Sequence, residues 1–234
     1  MQVLGIETST AVISVAVAAG AQVLGEFSLT ARQGHMEHLL PLIDRLLAGL
    51  GITVADLDGF AASVGPGSFT SLRVGLATCK SLAHTVGKPV AEVPTLDVLA
   101  WGLQGTEGLI CPVLTARREE VYTALYVNSH QGVKRLSSYL ALNPAEMALR
   151  LRGELRAGIT FTGEGACKNW ELFRQYLEER AILAGPARMW PRAGYTALLG
   201  TEIFSEGEGK APGAMQALYI KPPPVRMGVG DERS

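Results

Sequence analysis

The chain has 234 residues, 47% hydrophobic and 18% charged, with 21 basic and 22 acidic side chains giving a net charge of −1. So much apolar content excludes an intrinsically disordered chain, and the balanced charge excludes a global basic field able to hold nucleic acid unaided. Residues 3–6 are an apolar run before the polar turn Glu7-Thr8-Ser9-Thr10, and residues 12–18, rich in β-branched side chains, form the next strand. A third strand over 22–29 follows a tight turn. Leu39, Leu40, Ile43, Leu46, Leu47 and Leu50 then recur at spacings of three and four, predicting a helix that ends near Gly49 and Gly51. Residues 60–64 read as a buried strand, Gly65-Pro66-Gly67-Ser68 as a loop, and 69–86 as a second helix. Residues 88–93 are a strand, and Thr95 is expected to cap a short helix toward Trp101.

The second half repeats this order. Strands are expected over 109–115, 121–128 and 133–140, then a helix opened by Asn143-Pro144. A strand over 159–162 leads into Gly163-Glu164-Gly165 and a helix from about Lys168. The repetition predicts two α/β lobes, each a mixed sheet flanked by helices. The first spans residues 1–104, the second 105–220, and 221–234, with Lys221-Pro222-Pro223-Pro224, form a loose tail. A further helix is expected over 193–204 and a loop over 207–213. Cys79, Cys111 and Cys167 are isolated, as reduced thiols in a cytoplasmic protein would be. The start MQVLGIETS has no basic n-region or long apolar run, and stretches such as 15–19 fall far short of the roughly 20 residues that span a bilayer.

The sharpest local signal is GPGSFTSLRVG, residues 65–75. Gly65, Gly67 and Ser68 at a helix start, with Arg73 one turn on, suit a phosphate or nucleotide, because free backbone N–H groups and the helix dipole attract anions. The same residues equally serve as a tight turn that seats the helix on its sheet, with Ser68 or Thr70 as the cap. The hairpin residues Glu7, Thr8, Ser9 and Thr10 face the same choice between nucleotide binding and satisfying their own turn. His35 and His38 share a helical face beside Glu37, yet no further ligand cluster accompanies them, so polar or packing roles are expected and no metal site. Arg117, Arg118, Glu119 and Glu120 form either a solvated hairpin tip or a contact facing the interlobe cleft. Lys134, Arg135, Arg150, Arg152 and Arg156 are sparse and read as solvated. The helix over 69–86 carries Leu72, Leu76, Cys79 and Ala83 on one stripe and Val74, Ala77 and Leu82 on another. That much apolar circumference predicts a helix either buried on two sides or part of an interface, and Gly75, Ala77 and Ser81 would let a second helix approach.

GPGSFTSLRVG resembles the GPGSFTGLRxG signature of the TsaB (YeaZ) family of tRNA threonylcarbamoyladenosine biosynthesis proteins. The opening VLGIETSTAVISVAV, the HMEHLLPLIDRLLAGLGITVADLDGFAASVGPGSF stretch and TARREEVYTALY are similar to further family segments, covering about the first 125 residues. The resemblance implies two RNase H-like lobes of the actin-like, sugar-kinase and chaperone ATPase superfamily. It also implies a non-catalytic scaffold that binds a TsaD-like threonylcarbamoyltransferase, is joined by a TsaE-like ATPase, reaches tRNA only indirectly, and forms a homodimer when alone. The first-lobe helices would make the contact, through Leu42, Leu72, Leu76, Cys79 and Lys80. No cofactor of its own is implied, with ATP or ADP and Mg held at the complex. Two positions depart from the family pattern, Ser71 and Thr115, the second replacing an Asp. No histidine falls in residues 93–101, where TsaD-like enzymes carry their paired metal ligands, so no catalytic residue is expected. The rival reading is a nucleotide-dependent phosphotransferase or glycoprotease-like hydrolase using the Glu7 turn and the Gly65–Ser68 loop; no GxSxG elbow surrounds Ser63, Ser68 or Ser71.

Overall fold

The computed structural model describes residues 1–31, 35–117, 119–129, 132–154 and 158–220. The tail over 221–234, Arg118 and Arg156 lie outside the described residues. The first sheet is built from β1 (Gln2–Glu7), β2 (Val12–Ala19), β3 (Gln22–Thr30), β4 (Gly59–Gly65) and β5 (Val90–Pro94), in the order β3-β2-β1-β4-β5. The three hairpin strands are antiparallel, while β4 joins β1 and β5 joins β4 in parallel. Parallel neighbours require crossovers, and the helices α1 (His35–Leu50) and α2 (Phe69–Thr85) supply or flank them. Alternation along β1 divides its side chains: Leu4 and Ile6 face α1 and α2, while Val3 faces the other side.

The second sheet repeats the plan with β6 (Leu109–Thr115), β7 (Val121–Thr123), β10 (Leu140–Leu142), β11 (Ile159–Thr162) and β12 (Ala181–Leu183), in the order β10-β7-β6-β11-β12. Read outward from β6, its neighbours are the counterparts of those of β1. The extra pair β8 (Tyr126–Ser129) and β9 (Gly132–Arg135) hangs from the start of β6. The continuous strand expected over 121–128 is therefore broken. At the break the Leu125 N–H leaves the ladder and donates to Ser137 Oγ at 2.9 Å. The run expected over 133–140 divides for the same reason, into β9 and β10. The helix expected from Lys168 begins earlier, as α5 (Glu164–Lys168), and is followed by α6 (Trp170–Leu177). α4 (Pro144–Glu154) starts as expected, with Asn143 Oδ1 accepting from the Ala145 N–H at 2.8 Å. Thr95 does not cap α3 (Thr95–Trp101); Pro94 holds the cap position and Thr95 is the first helical residue.

The lobes exchange their last helices. Leu96, Leu99, Ala100 and Leu103, on and just after α3, belong to the core of the second sheet. Conversely α7 (Ala193–Ser205) packs on the first sheet, bringing Tyr195, Leu199, Ile203 and Phe204 against Val3, Ala61 and Val93. Past α7 the chain stays with the first lobe as far as Leu218: Lys210 bridges to Val90, and fully buried Met215 joins the core under α1 and α2. The small-residue helix at 193–205 thus has its bed on the first sheet, although it follows the strands of the second in the chain. Asp97 of α3 anchors the exchange, accepting from Tyr126 at 2.5 Å and from Tyr139 at 2.9 Å.

Glu26 of β3 fastens the start of α7. One carboxylate oxygen accepts from the Gly194 N–H at 3.1 Å and from Ser14 Oγ at 3.0 Å, and the other pairs with Arg192. A carboxylate on the first N–H groups of a helix satisfies an orphan donor and complements the dipole. Glu26→Ala is expected to cost about 1–2 kcal/mol, read as a lower urea midpoint with an unchanged slope; an unaltered midpoint would show that α7 needs no such cap.

Candidate functional site

In open α/β sheets ligands lodge beyond the carboxyl ends of the strands, where the strand order reverses. Both lobes turn those ends toward one another. The loops after β1 and β4 face the loops after β6 and β11 across a cleft of about 760 Å³. The first lobe lines it with Ser9, Thr10, Gly67, Ser68 and Ser71, the second with Thr115, Arg117 and Glu164. Sequence reasoning left Arg117 to Glu120 open between a solvated tip and a cleft contact; Arg117 faces the cleft, while Glu119 is exposed at φ 62°.

Glu7 does not reach that cleft. It is fully buried, one carboxylate oxygen accepting from the Ser9 N–H at 2.7 Å and Ser9 Oγ at 2.5 Å, the other from Ser63 Oγ. Burial pushes its carboxyl above the usual range, opposed by the hydrogen bonds from Ser63 and Ser9. Thr8, also buried, donates from Oγ1 to the Ser71 carbonyl at 2.9 Å, and Thr10 Oγ1 accepts from the Val12 N–H at 3.2 Å. The hairpin turn thus uses its polar groups to hold itself and the start of α2. Ser63 is the partner that sequence reasoning missed, since only the parallel register of β1 and β4 brings it beside Glu7.

The glycine loop is fixed by the same turn. The Ser68 N–H donates to the Ser9 carbonyl at 2.7 Å, and a Cβ at Gly67 would strike that carbonyl and come within 2.8 Å of Ser9 Cβ. Gly65 adopts φ +116°, open to glycine. Ser68 precedes α2 but caps it with no side-chain bond; its Oγ lies 3.0 Å from Ser71 Oγ. Ser71, one of the two departures from the family pattern, is therefore tied into the loop. Thr115, the other, accepts at Oγ1 from Lys168 Nζ at 3.2 Å, and its N–H donates to Glu164 at 3.1 Å. Arg73 points away from the cleft floor, stacking its guanidinium 4.0 Å over the Phe69 ring.

The expected partner-facing stripe needs correction. Leu72, Leu76 and Cys79 are buried, and Leu76 and Cys79 lie within the core shared with α1 and the sheet. The thiol of Cys79 is pushed up to about 12 by that burial. Gly75 also faces inward, where a Cβ would strike Thr8 Oγ1, so it serves the hairpin contact and not the approach of a second helix. The sequence pattern shows which residues are apolar but not which of two stripes the chain itself covers. Leu42 and Lys80 are half-buried, and Ala77 and Ser81 are exposed. His38 and Glu37 are exposed on α1, and the side chain of His35 lies outside the described residues. Arg150 pairs with Glu146 at 2.6 Å, Arg135 stacks on Tyr139, and Lys134 and Arg152 are exposed.

Among the described residues no three His, Cys, Asp or Glu side chains gather to hold a metal ion, and no helix is long and apolar enough to cross a membrane. Magnesium with a nucleotide takes carboxylate and phosphate oxygens. The cleft offers hydroxyls, a guanidinium and Glu164, which is already bonded to the Thr115 N–H, so its donor set does not fit that ion.

Comparison with known proteins places these features. The family model described as "TsaD: tRNA N6-adenosine threonylcarbamoyltransferase" matches residues 23–168. The tRNA threonylcarbamoyladenosine biosynthesis protein TsaB of Bacillus subtilis (strain 168) is 27% identical over 202 residues, covering 86% of this chain and 88% of that protein. The solved structure of YeaZ from Pseudomonas aeruginosa superposes with a TM-score of 0.80 at 25% identity, over 94% of this chain and 99% of that one. The activator of the 2-hydroxyisocaproyl-CoA dehydratase from Clostridium difficile shares the fold alone, with a TM-score of 0.52 at 10% identity over 89% of this chain and 97% of that one.

Proposed function

Because the chain belongs to the TsaB (YeaZ) family of tRNA threonylcarbamoyladenosine biosynthesis proteins, we propose that it is a non-catalytic scaffold that activates a TsaD-like threonylcarbamoyltransferase by docking against it. The observation that supports this most is the sealing of Glu7. The carboxylate that the rival phosphotransferase or hydrolase reading would use is fully buried, with both oxygens bonded to Ser9 and Ser63. Acyl or phosphoryl transfer needs charge placed where the reacting oxygens develop theirs, and a carboxylate closed off in this way is not placed there. Transfer to the tRNA adenosine would be the partner's work. A TsaE-like ATPase would join the assembly, and ATP or ADP with Mg would sit at the complex and not in this chain's own cleft. The tRNA would be gripped mainly by the partner, as the net charge of −1 suggests. The setting would be the cytoplasm, where Cys79, Cys111 and Cys167 stay as free thiols.

The docking face would be the outer side of α1 and α2, through Leu42, Ala77, Lys80 and Ser81, and in the absence of the transferase a second copy would use the same face. Ala77 is exposed and small, so Ala77→Arg adds bulk and charge there without touching the core. Threonylcarbamoyl transfer is measured with purified TsaD, TsaE and threonylcarbamoyl-adenylate, with and without this chain. Stimulation by the wild-type chain, and its loss by tenfold or more in Ala77→Arg at an unchanged melting temperature, are the expected results. Transfer independent of this chain, or carried out by it alone, would overturn the scaffold role.

A further inference from the structure

Beside the main cleft, on the far side of the glycine loop, lies a groove of about 310 Å³ that none of the roles above uses. One wall is the start of α2, with Phe69 and Arg73; another is Arg117 and Tyr122 of the second lobe; the third is the chain's last described segment, with Tyr219. That segment is held in place, since the Leu218 N–H donates to the Val64 carbonyl at 2.8 Å and Ile220 packs on the second core. Phe69 and Tyr219 are 44% and 66% exposed, unusual for rings this large, and their centroids lie 6.4 Å apart. Stacking on Phe69 orients the Arg73 guanidinium and leaves its N–H fork free. Among the described residues neither Arg73 nor Arg117 is ion-paired, and no carboxylate lines the groove.

Two unneutralised guanidinium groups suit a phosphate, and the exposed ring of Tyr219 beside Phe69 suits a planar base. The volume falls at the small end of ligand sites, about 300 Å³. The geometry points to a binding site for a nucleoside 5′-phosphate, its phosphate on Arg73 and Arg117 and its base on Tyr219 beside Phe69. The contact needs no metal, consistent with the poor fit of magnesium to the neighbouring cleft. The same chemistry comes either from a free nucleotide or from one unit of a single-stranded RNA. A single such contact is compatible with a chain that lacks a global basic field. The site does not depend on the partnership with a transferase, and its test uses the full chain alone, so its failure leaves the transfer assay's outcome untouched.

The probes are AMP and adenosine by calorimetry, and a 5′-phosphorylated RNA octamer, labelled at its 3′ end, by fluorescence anisotropy. AMP or the octamer is expected to bind saturably, with adenosine at least tenfold weaker than AMP. Arg73→Ala and Arg117→Ala, on separate elements, should each weaken the phosphate-bearing probes about tenfold and leave adenosine unchanged, at wild-type melting temperatures. Tyr219→Ala should weaken all three probes. Raising salt from 50 to 200 mM should weaken the octamer about sevenfold if two phosphate charges are neutralised. An octamer tighter than AMP assigns the site to a strand; equal or tighter AMP assigns it to the free nucleotide. Absence of saturable binding by both phosphate-bearing probes at millimolar concentration, adenosine equal to AMP, or affinity unchanged in both arginine variants would overturn the assignment.

Discussion

Gly5→Ala is expected to destabilise the chain by about 3 kcal/mol, although it adds a single methyl group. Gly5 sits at the middle of β1, and the register places it between Ala16 of β2 and Ala61 of β4, with Ala91 of β5 next in the row. These four small residues cross the sheet in one line and form a flat bed. Helix α7 lies on it with its own buried small residues, Ala193, Gly194, Ala197 and Gly200. A Cβ at Gly5 would strike the Ala193 carbonyl and reach 2.7 Å from the Ala197 nitrogen. Both are backbone atoms, so no rotamer change relieves the clash and the whole helix must lift. Lifting it also parts Glu26 from the Gly194 N–H. For a chain of this size the loss corresponds to a fall of about 10 °C in melting temperature, read by circular dichroism. Gly153→Ala, at a helical position with open space around it, is the control and should lose nothing. A Gly5→Ala protein that melts with the wild type would show that α7 is not seated as described.

The strands and the long helices were legible because their periodicity is local. The short apolar run of β1, the β-branched run of β2 and the three-and-four spacing of Leu39, Ile43, Leu46 and Leu50 need no knowledge of the rest of the chain. The doubled order of elements carried the two-lobed architecture in the same way. What could not be read are relations that exist only once register is fixed. Gly5, Ala16, Ala61 and Ala91 are scattered through the sequence and become a row only when four strands align. Ser63 lies 56 residues from Glu7, and its hydroxyl became a partner of that carboxylate through the β1–β4 pairing. The buried side of α2 was likewise undetermined, because two apolar stripes on one helix look equivalent until Thr8 is seen to occupy the space over Gly75. The groove beside the glycine loop combines Phe69, Arg117 and Tyr219, which no spacing rule connects.

The two lobes meet the same structural demand in opposite ways. Each must tie the turn after its first strand to the loop after its first parallel neighbour. In the first lobe the carboxylate comes from the strand end, as Glu7, and serves Ser9 and Ser63. In the second it comes from the helix start, as Glu164, and receives the Thr115 N–H. An Asp at position 115 would place a second carboxylate beside Glu164, and like charges so close repel. Threonine there removes that repulsion and supplies an acceptor for Lys168.

The largest single effect is expected at Glu7. Truncation in Glu7→Ala leaves the Ser9 N–H and two hydroxyls without their acceptor in a fully buried site, and opens a void as well. Unsatisfied buried donors cost about 1–3 kcal/mol each at most, and the cavity adds to that, so a loss of about 4 kcal/mol is expected. Glu7→Gln separates charge from shape. Its carbonyl still accepts from Ser9, and its amide donates to Ser63, whose hydroxyl turns to accept. The sign of the pH dependence follows from burial raising the folded-state pKa of the acid above the unfolded value of 4.5. The folded state then favours the protonated carboxyl, so this group's stabilisation is full below pH 4.5. It declines as pH rises through the folded-state pKa, and stays flat above it. Denaturant titrations of wild type and Glu7→Gln across that range should show the decline in the first and its absence in the second. The Gln variant should also stimulate threonylcarbamoyl transfer as the wild type does, because an amide can replace a carboxylate that only organises a turn but not one that holds a cation. Wild-type stability in Glu7→Ala, or abolished stimulation in a fully folded Glu7→Gln, would return the carboxylate to a chemical role.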